Sequence, residues 1–310
     1  MRLNKPNFWD KKNSFFSILL YPLSLITLLI INLKKKFIKP KSFNIPIICV
    51  GNIYIGGTGK TPTSIYIAKQ LSLIGFKPAI LRKYYKDHTD EYNQIRHYFS
   101  NLIINKDRSK GLIIAKKEGY DTVILDDGLQ DYKIENNLSI VCFHQNQLAG
   151  NGFILPAGPL RENLNRLKSV DIVLINGKKL PEFEKKLLNI NKNLKIFYSS
   201  YKPRNINQFQ NHNLLALAGI ANPENFFNLL IQNNLSVQEK LVFPDHYIFT
   251  ENELKNIIKK AKNKNLKIIM TEKDYFKINQ FDLDELNYLK VSLEINQKED
   301  FLNIIKKIYD

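Results

Sequence analysis

Short, continuously apolar runs alternate with amphipathic ones along most of this chain. Residues 45–50, Ile-Pro-Ile-Ile-Cys-Val, are apolar throughout, as a strand buried on both faces of a parallel sheet would be. Ile65, Ala68, Leu71 and Ile74 then recur at helical spacing, and Gly75 closes that segment as a helix C-terminus does. The same reading predicts strands over 78–81, 102–104, 122–125, 138–143 and 172–175 and a helix over 111–118, with residues 82–100 polar and irregular. Polar residues 199–213 read as a linker. Beyond them a second series runs through a strand at 214–217, a helix at 223–233, a strand near Leu241, a helix at 251–262, a strand at 267–270 and a last helix at 299–309. Strands alternating with helices predict an α/β fold, a doubly wound sheet domain followed by a second, smaller α/β domain. The expected division is 1–36, 37–205 and 206–310.

The N-terminus breaks this rhythm. No charged residue occurs from Asn13 to Leu33, and Phe, Ile and Leu dominate the stretch. About 20 apolar residues can cross a bilayer as a helix. Lys34, Lys35 and Lys36 follow at once, then Lys39 and Lys41, as beside anionic headgroups. No small-residue cleavage site follows, which argues against a secretory signal. Pro22, Ser14, Ser17, Ser24 and Thr27 dilute the apolar stripe and favour a helix lying in the membrane interface over one that spans.

Charge adds a hint of an anionic partner, since the formal net charge is +17. General enrichment in Lys, Asn and Ile would also produce it. No aromatic-basic stacking motif or helicase element is present, so a nucleic-acid ATPase is not favoured. Cys49 and Cys142 both lie in apolar runs and read as buried thiols of a cytosolic protein.

Residues 51–61, Gly-Asn-Ile-Tyr-Ile-Gly-Gly-Thr-Gly-Lys-Thr, hold four of the 13 glycines and fall between the first strand and the first helix. Strand, glycine turn, Lys-Thr and helix is the setting of a phosphate-binding P-loop. There, backbone N–H groups curl around phosphate oxygens, Lys60 bridges the outer phosphates and Thr61 offers a hydroxyl to Mg²⁺. Tyr54 stands where the simplest pattern has its first glycine. The strand ending in Asp126-Asp127-Gly128 is Walker-B-like, placing a carboxylate for Mg²⁺ or its water shell. Residues 150–162 form a long loop stiffened by prolines, with Arg161 able to clamp a phosphate. Phe243-Pro244-Asp245-His246 sets a histidine beside an aspartate in a turn, and an alcohol acceptor needs a positioned base, either His246 or a carboxylate such as Asp107. A GTPase would carry Asn/Thr-Lys-x-Asp after a strand. Here Thr271-Glu272-Lys273-Asp274 has its lysine one place late.

Taken together, Gly51–Thr61, Asp126-Asp127-Gly128-Leu129-Gln130, Leu155–Glu162, Phe243–Tyr247 and Thr271–Asp274 resemble the tetraacyldisaccharide 4′-kinase family of lipid A biosynthesis, in the family's order and over nearly the whole chain. The resemblance implies transfer of the ATP γ-phosphate to the 4′-hydroxyl of a tetraacyl glucosamine disaccharide 1-phosphate. It implies ATP and Mg²⁺ as cofactors, a membrane lipid as substrate, and the cytoplasmic face of the bacterial inner membrane as the location. No nucleic acid or protein partner is implied. It also implies two α/β domains with the active site in their cleft, and an N-terminal membrane-associated helix. Residue by residue, it assigns the nucleotide to Tyr54, Ile55, Gly56, Gly57, Thr58, Gly59, Lys60 and Thr61. It makes Asp107 and His246 a catalytic dyad, Gln130 and Arg161 contacts to substrate or transition state, and Thr61, Asp126, Asp127 and Glu162 the metal set. A non-glycine residue at Tyr54 is normal for this family. Asp131 stands where the family usually has His, Arg82-Lys83-Tyr84 where it has Arg-Gly-Tyr, and the segment before Asp107 is shorter than usual.

Overall fold

The structure, a computed structural model, describes residues 6–12, 14–86, 88–245, 247–278 and 281–309; His246 lies outside them. In chain order the elements are α1 Phe15–Phe37, β1 Ile47–Gly51, α2 Lys60–Leu73, β2 Pro78–Lys83, α3 Thr89–Tyr98, β3 Leu102–Asn105, α4 Arg108–Lys117, β4 Thr122–Asp126, β5 Leu138–His144, β6 Ile172–Asn176, α5 Pro181–Ile190, β7 Lys195–Pro203, β8 Asn213–Ala218, α6 Pro223–Gln232, β9 Ser236–Val242, α7 Glu251–Asn263, β10 Lys267–Thr271, α8 Glu272–Ile278, β11 Leu286–Leu289, β12 Val291–Ile295 and α9 Lys298–Lys306.

Among the described residues these strands form an eight-stranded sheet, ordered β12-β7-β6-β5-β1-β4-β2-β3, and a four-stranded sheet, ordered β11-β10-β8-β9. In the larger sheet β1 pairs in parallel with β4 on one side and β5 on the other. Chain order reverses at that point, which in doubly wound sheets is where ligands bind, beyond the carboxyl ends of the strands. Ile47–Val50 are wholly buried, as their continuous apolarity requires. Toward the β2–β4 half, Leu112 and Ala115 of α4 pack on Ala79, Leu81, Val123 and Leu125. Toward the β5–β6 half, Phe183 and Leu187 of α5 pack on Val141, Phe143, Val173 and Ile175. Cys49 and Cys142 are buried and free.

The smaller sheet is parallel throughout and sandwiched by helices. Leu214, Ala216 and Ala218 of β8 face Phe226, Phe227 and Leu230 of α6. Their alternates Leu215 and Leu217 face Leu254, Ile258 and Ala261 of α7, the period-two signature of a strand covered on both sides.

Two compact units result, and they interleave in sequence: 5–84, 99–200 and 293–310 form one, and 85–98 with 201–292 the other. This differs from the expected consecutive segments. The chain returns to the larger sheet through β12, with Asn296 N donating to Tyr198 O at 2.8 Å, and Phe301 of α9 lies 5.3 Å from Phe197. Residues 82–100 are not irregular either, since α3 occupies 89–98. It belongs to the smaller unit, where the Tyr98 hydroxyl donates to Glu272 and the His97 ring lies 4.9 Å from Phe276. The expected linker at 199–213 is partly strand, because β7 continues to Pro203.

Helix α1 is inverted relative to an ordinary surface helix. Its buried positions are Ser17 and Ser24, while Phe15, Phe16, Ile18, Leu19, Leu23, Ile26 and Leu29 are exposed. Ser24 Oγ donates to Ile154 O at 2.7 Å and accepts from Ala157 N at 3.0 Å, and Asn151 Nδ2 donates to Ser17 Oγ at 2.9 Å. By length and composition α1 could cross a membrane.

Candidate active site

The turn after β1 is built by backbone conformation and by one asparagine. Gly56 and Gly59 sit at φ 107° and 94°, left-handed values that side chains resist, and Gly59 caps α2. Asn52, fully buried, donates from Nδ2 to Gly56 O at 3.1 Å and to Thr58 Oγ1 at 3.0 Å, closing the loop on itself. Tyr54 serves a different end from the residues after it. Its ring is buried among Ala149, Ile154 and Leu160, and its backbone bridges Leu160. With Ile55 N donating to Pro159 O at 2.9 Å and Arg161 N to Ile53 O at 2.7 Å, the proline-stiffened loop becomes the outer wall of the P-loop.

Parallel register brings the charged side chains together. Val50 of β1 and Arg82 of β2 both pair with Asp126 at the end of β4. Thr61 Oγ1 donates to Asp126 Oδ2 at 3.0 Å and Ser64 Oγ to Oδ1 at 2.9 Å. Arg82 pairs with the same carboxylate and donates to Thr61 Oγ1 at 3.1 Å. Asp127, at φ 58°, turns away toward cations: Arg161 Nη1 lies 2.9 Å and Lys60 Nζ 3.7 Å from its Oδ1. Burial pushes Asp127 upward, but Lys60, Arg161, Arg82 and Arg108 overrule it and hold the carboxyl at about 2.

Gln130 ties the Asp-Asp-Gly turn to the loop, its Nε2 donating to Asn52 O at 2.9 Å and to Glu162 Oε1 at 3.3 Å. Glu162 is buried and ion-paired to Lys35 Nζ at 2.7 Å. Asp107 is exposed, capping α4 by accepting from Ser109 N at 2.8 Å, and it lines an open cavity of about 420 Å³ with Tyr84, Asn105, Lys106 and Lys110. Its neighbour Arg108 is buried and donates to Asp127 O at 2.6 Å and to Asp131 Oδ2 at 3.3 Å. The aspartate at 131 thus holds an arginine.

Residues 54–61, Asp126, Asp127, Gln130, Arg161 and Glu162 therefore gather at one place. Asp107 stands at the head of α4, whose next residue reaches the Asp127 carbonyl. Asn52, Arg82, Arg108 and Lys35 were not among the sequence candidates. Arg82 had a usable signal, because a charged residue ending an otherwise apolar parallel strand next to a Walker-B strand falls beside its carboxylate. Lys35 had none, since its partner lies 127 positions away.

Among the described residues no three His, Cys, Asp or Glu side chains gather into a self-sufficient metal site. Thr61 Oγ1 and Asp126 nevertheless form an oxygen-only donor pair beside the phosphate loop, which suits a hard cation arriving with a nucleotide. Asp126 also pairs with Arg82, and Asp127 and Glu162 likewise face cationic side chains.

A glycine loop running from a central parallel strand into Lys-Thr and a helix, with a carboxylate in register behind the threonine, defines a P-loop nucleotide-binding protein of the α/β class. The model of the family LpxK, Tetraacyldisaccharide-1-P 4′-kinase, matches residues 16–99 and 90–310. The chain belongs to that family and is a kinase. It is 42% identical over 317 residues to Tetraacyldisaccharide 4′-kinase of Pelagibacter ubique (strain HTCC1062), covering 99% of each chain. It is 33% identical over 322 residues to the protein of that name from Francisella tularensis subsp. novicida (strain U112), covering 93% of this chain and 98% of the relative. A crystal structure of LpxK from Aquifex aeolicus in complex with ATP shares the fold, with TM-score 0.74 and 22% identity over 96% of this chain and 100% of that one.

Proposed function

We propose that this chain transfers the γ-phosphate of ATP to the 4′-hydroxyl of tetraacyldisaccharide 1-phosphate at the cytoplasmic face of the inner membrane. The observation that carries the reading is the Lys60-Thr61 loop with Asp126 at 3.0 Å from the Thr61 hydroxyl, in a member of a family named for that reaction. The loop amides of 55–60 and the N-terminus of α2 hold the phosphates, and Lys60 supplies a mobile positive charge as the bond to the leaving phosphate breaks. Thr61 and Asp126 would hold Mg²⁺, with Asp127 and Glu162 the remaining candidates from the resemblance; bound there, the ion neutralises charge on the phosphate oxygens. Arg161 and Gln130 contact substrate or transition state. Asp107 accepts the proton of the sugar hydroxyl, with His246 as its partner in the dyad.

The attachment is interfacial. Contacts at Ser17, Ser24 and Lys35 fasten α1 along about 27 Å of its length to the larger unit, at 1.5 Å per residue. A helix held sideways against a polar, charged domain cannot cross hydrocarbon without taking that domain along. Its outward apolar side and the lysines after it fit a leaflet with anionic headgroups.

Single-turnover assays on Asp107→Ala and His246→Ala test the dyad. Each is expected to lower the transfer rate by about 10²-fold or more while ATP affinity stays near wild type, the scale of a lost general base. Near-normal turnover in either variant would remove that residue from the mechanism.

A further inference from the structure

The lysine that follows the apolar stretch is bound into the nucleotide site. Lys35 Nζ lies 2.7 Å from Glu162 Oε2, and the Glu162 side chain is 1% exposed while that of Lys35 is 34% exposed. Arg166 Nε stands 3.8 Å from Oε2, and the Arg166 guanidinium lies 5.8 Å from the centre of the Tyr132 ring. The Lys35 ammonium also lies 5.2 Å from the centre of the Tyr132 ring. From Glu162 the connections run directly to the P-loop. Oε1 accepts from Gln130 Nε2, which also donates to the carbonyl of Asn52, the residue whose side chain closes the glycine turn. The preceding residue, Arg161, donates its N–H to Ile53 O and its guanidinium to Asp127. A buried carboxylate with a counter-ion removed is costly and rearranges, and here two neighbours that would move with it, Gln130 and Arg161, touch the phosphate loop or its carboxylates.

We propose that Lys35 is a positioning residue for phosphoryl transfer. By neutralising Glu162 it fixes the Arg161-Glu162-Gln130 corner against the glycine loop, so that the membrane-facing helix forms part of the catalytic unit and is more than an anchor. The contacts of Ser24 with Ile154 and Ala157 hold the other end of the same loop to the same helix. This inference rests on the kinase reading for its turnover assay, though not for its binding assay.

The test compares full-length Lys35→Met and Lys35→Arg with wild type in detergent micelles at saturating lipid, alongside flotation on anionic vesicles. Lys35→Met is expected to lose about tenfold or more in kcat, with flotation and the lipid KM within about twofold, the scale of a lost outer-shell partner. Lys35→Arg restores most of the loss. A loss seen only in flotation or in lipid KM, or no loss at all, makes Lys35 an anchor and overturns the proposal. The second arm needs no turnover: ATP affinity and melting temperature in a cycle with Glu162→Gln. Lys35→Met is expected to change both far less on the Glu162→Gln background than alone, whereas additive effects overturn the proposal. If wild type labels no lipid, the substrate reading fails while this cycle still judges Lys35.

Discussion

Both sheets end a parallel strand at a buried aspartate surrounded by donors, and only one of these ends is a candidate site. At the end of β4, Asp126 accepts from Thr61, Ser64 and Arg82. Just past β10, Asp274 accepts from Thr271 Oγ1 at 2.6 Å, from Gly219 N at 2.7 Å and from Lys277 Nζ at 2.8 Å. Lys273 beside it is raised above the ordinary lysine value: burial works against its charge, but Asp245, Glu91 and Asp90 more than offset that. Both clusters set a buried aspartate against a cation. They differ in what adjoins them. The first is continuous with a glycine loop and a helix N-terminus. The second is closed by Asp90 and Glu91 of α3, arriving from a distant part of the sequence. Buried acid–base clusters are thus common property of parallel strand ends, and a phosphate loop turns one into a site.

Substitutions can break that contrast. Lys60→Ala is expected to lower kcat by about 10³-fold, the scale of losing a charge aimed at the transferring phosphate, with a melting temperature close to wild type. Asp274→Ala should do the opposite, costing about 3 kcal/mol in urea unfolding because Thr271 Oγ1 and Gly219 N lose a buried acceptor and Lys277 loses its carboxylate partner at 2.8 Å, keeping Asp90 at 3.9 Å. An Asp274→Ala protein that melts normally but turns over slowly would make the second cluster catalytic. A smaller effect concerns acid. Asp127 is held at about 2 when folded and would titrate at 3.8 when free, so the depressed carboxyl stabilises the fold above the free value. That contribution, about 2 kcal/mol at 1.36 kcal/mol per pH unit, is lost as pH falls from about 4 to about 2. Asp127→Asn should flatten the stability profile in that window, and an unchanged slope would show that its cations do not act as the geometry implies.

The larger unit and its P-loop were legible because each signal is local: an apolar run, a glycine cluster and Lys-Thr lie within about 20 residues. Asp126 and Asp127 were legible as strand-end carboxylates, but their division of labour came only from the register with Arg82 and the turn at φ 58°. Helix α3 was missed because its low apolar content hides a brace made of ions and aromatics, with Asp90 buried through partners nearly two hundred residues away. The interleaving of the two units has no local signal for a related reason, since β12 and α9 return to the first sheet by pairing that no local pattern announces. The serines of α1 read as dilution of an apolar helix, whereas in the structure they are the side that grips the protein.

In the function proposed, this P-loop serves a membrane lipid acceptor. Incubating the full-length protein with γ-labelled ATP, Mg²⁺ and tetraacyldisaccharide 1-phosphate, then extracting the lipid, tests it most directly. Label is expected in the lipid at the 4′ position. Label recovered only as inorganic phosphate, with none in the lipid, would contradict it.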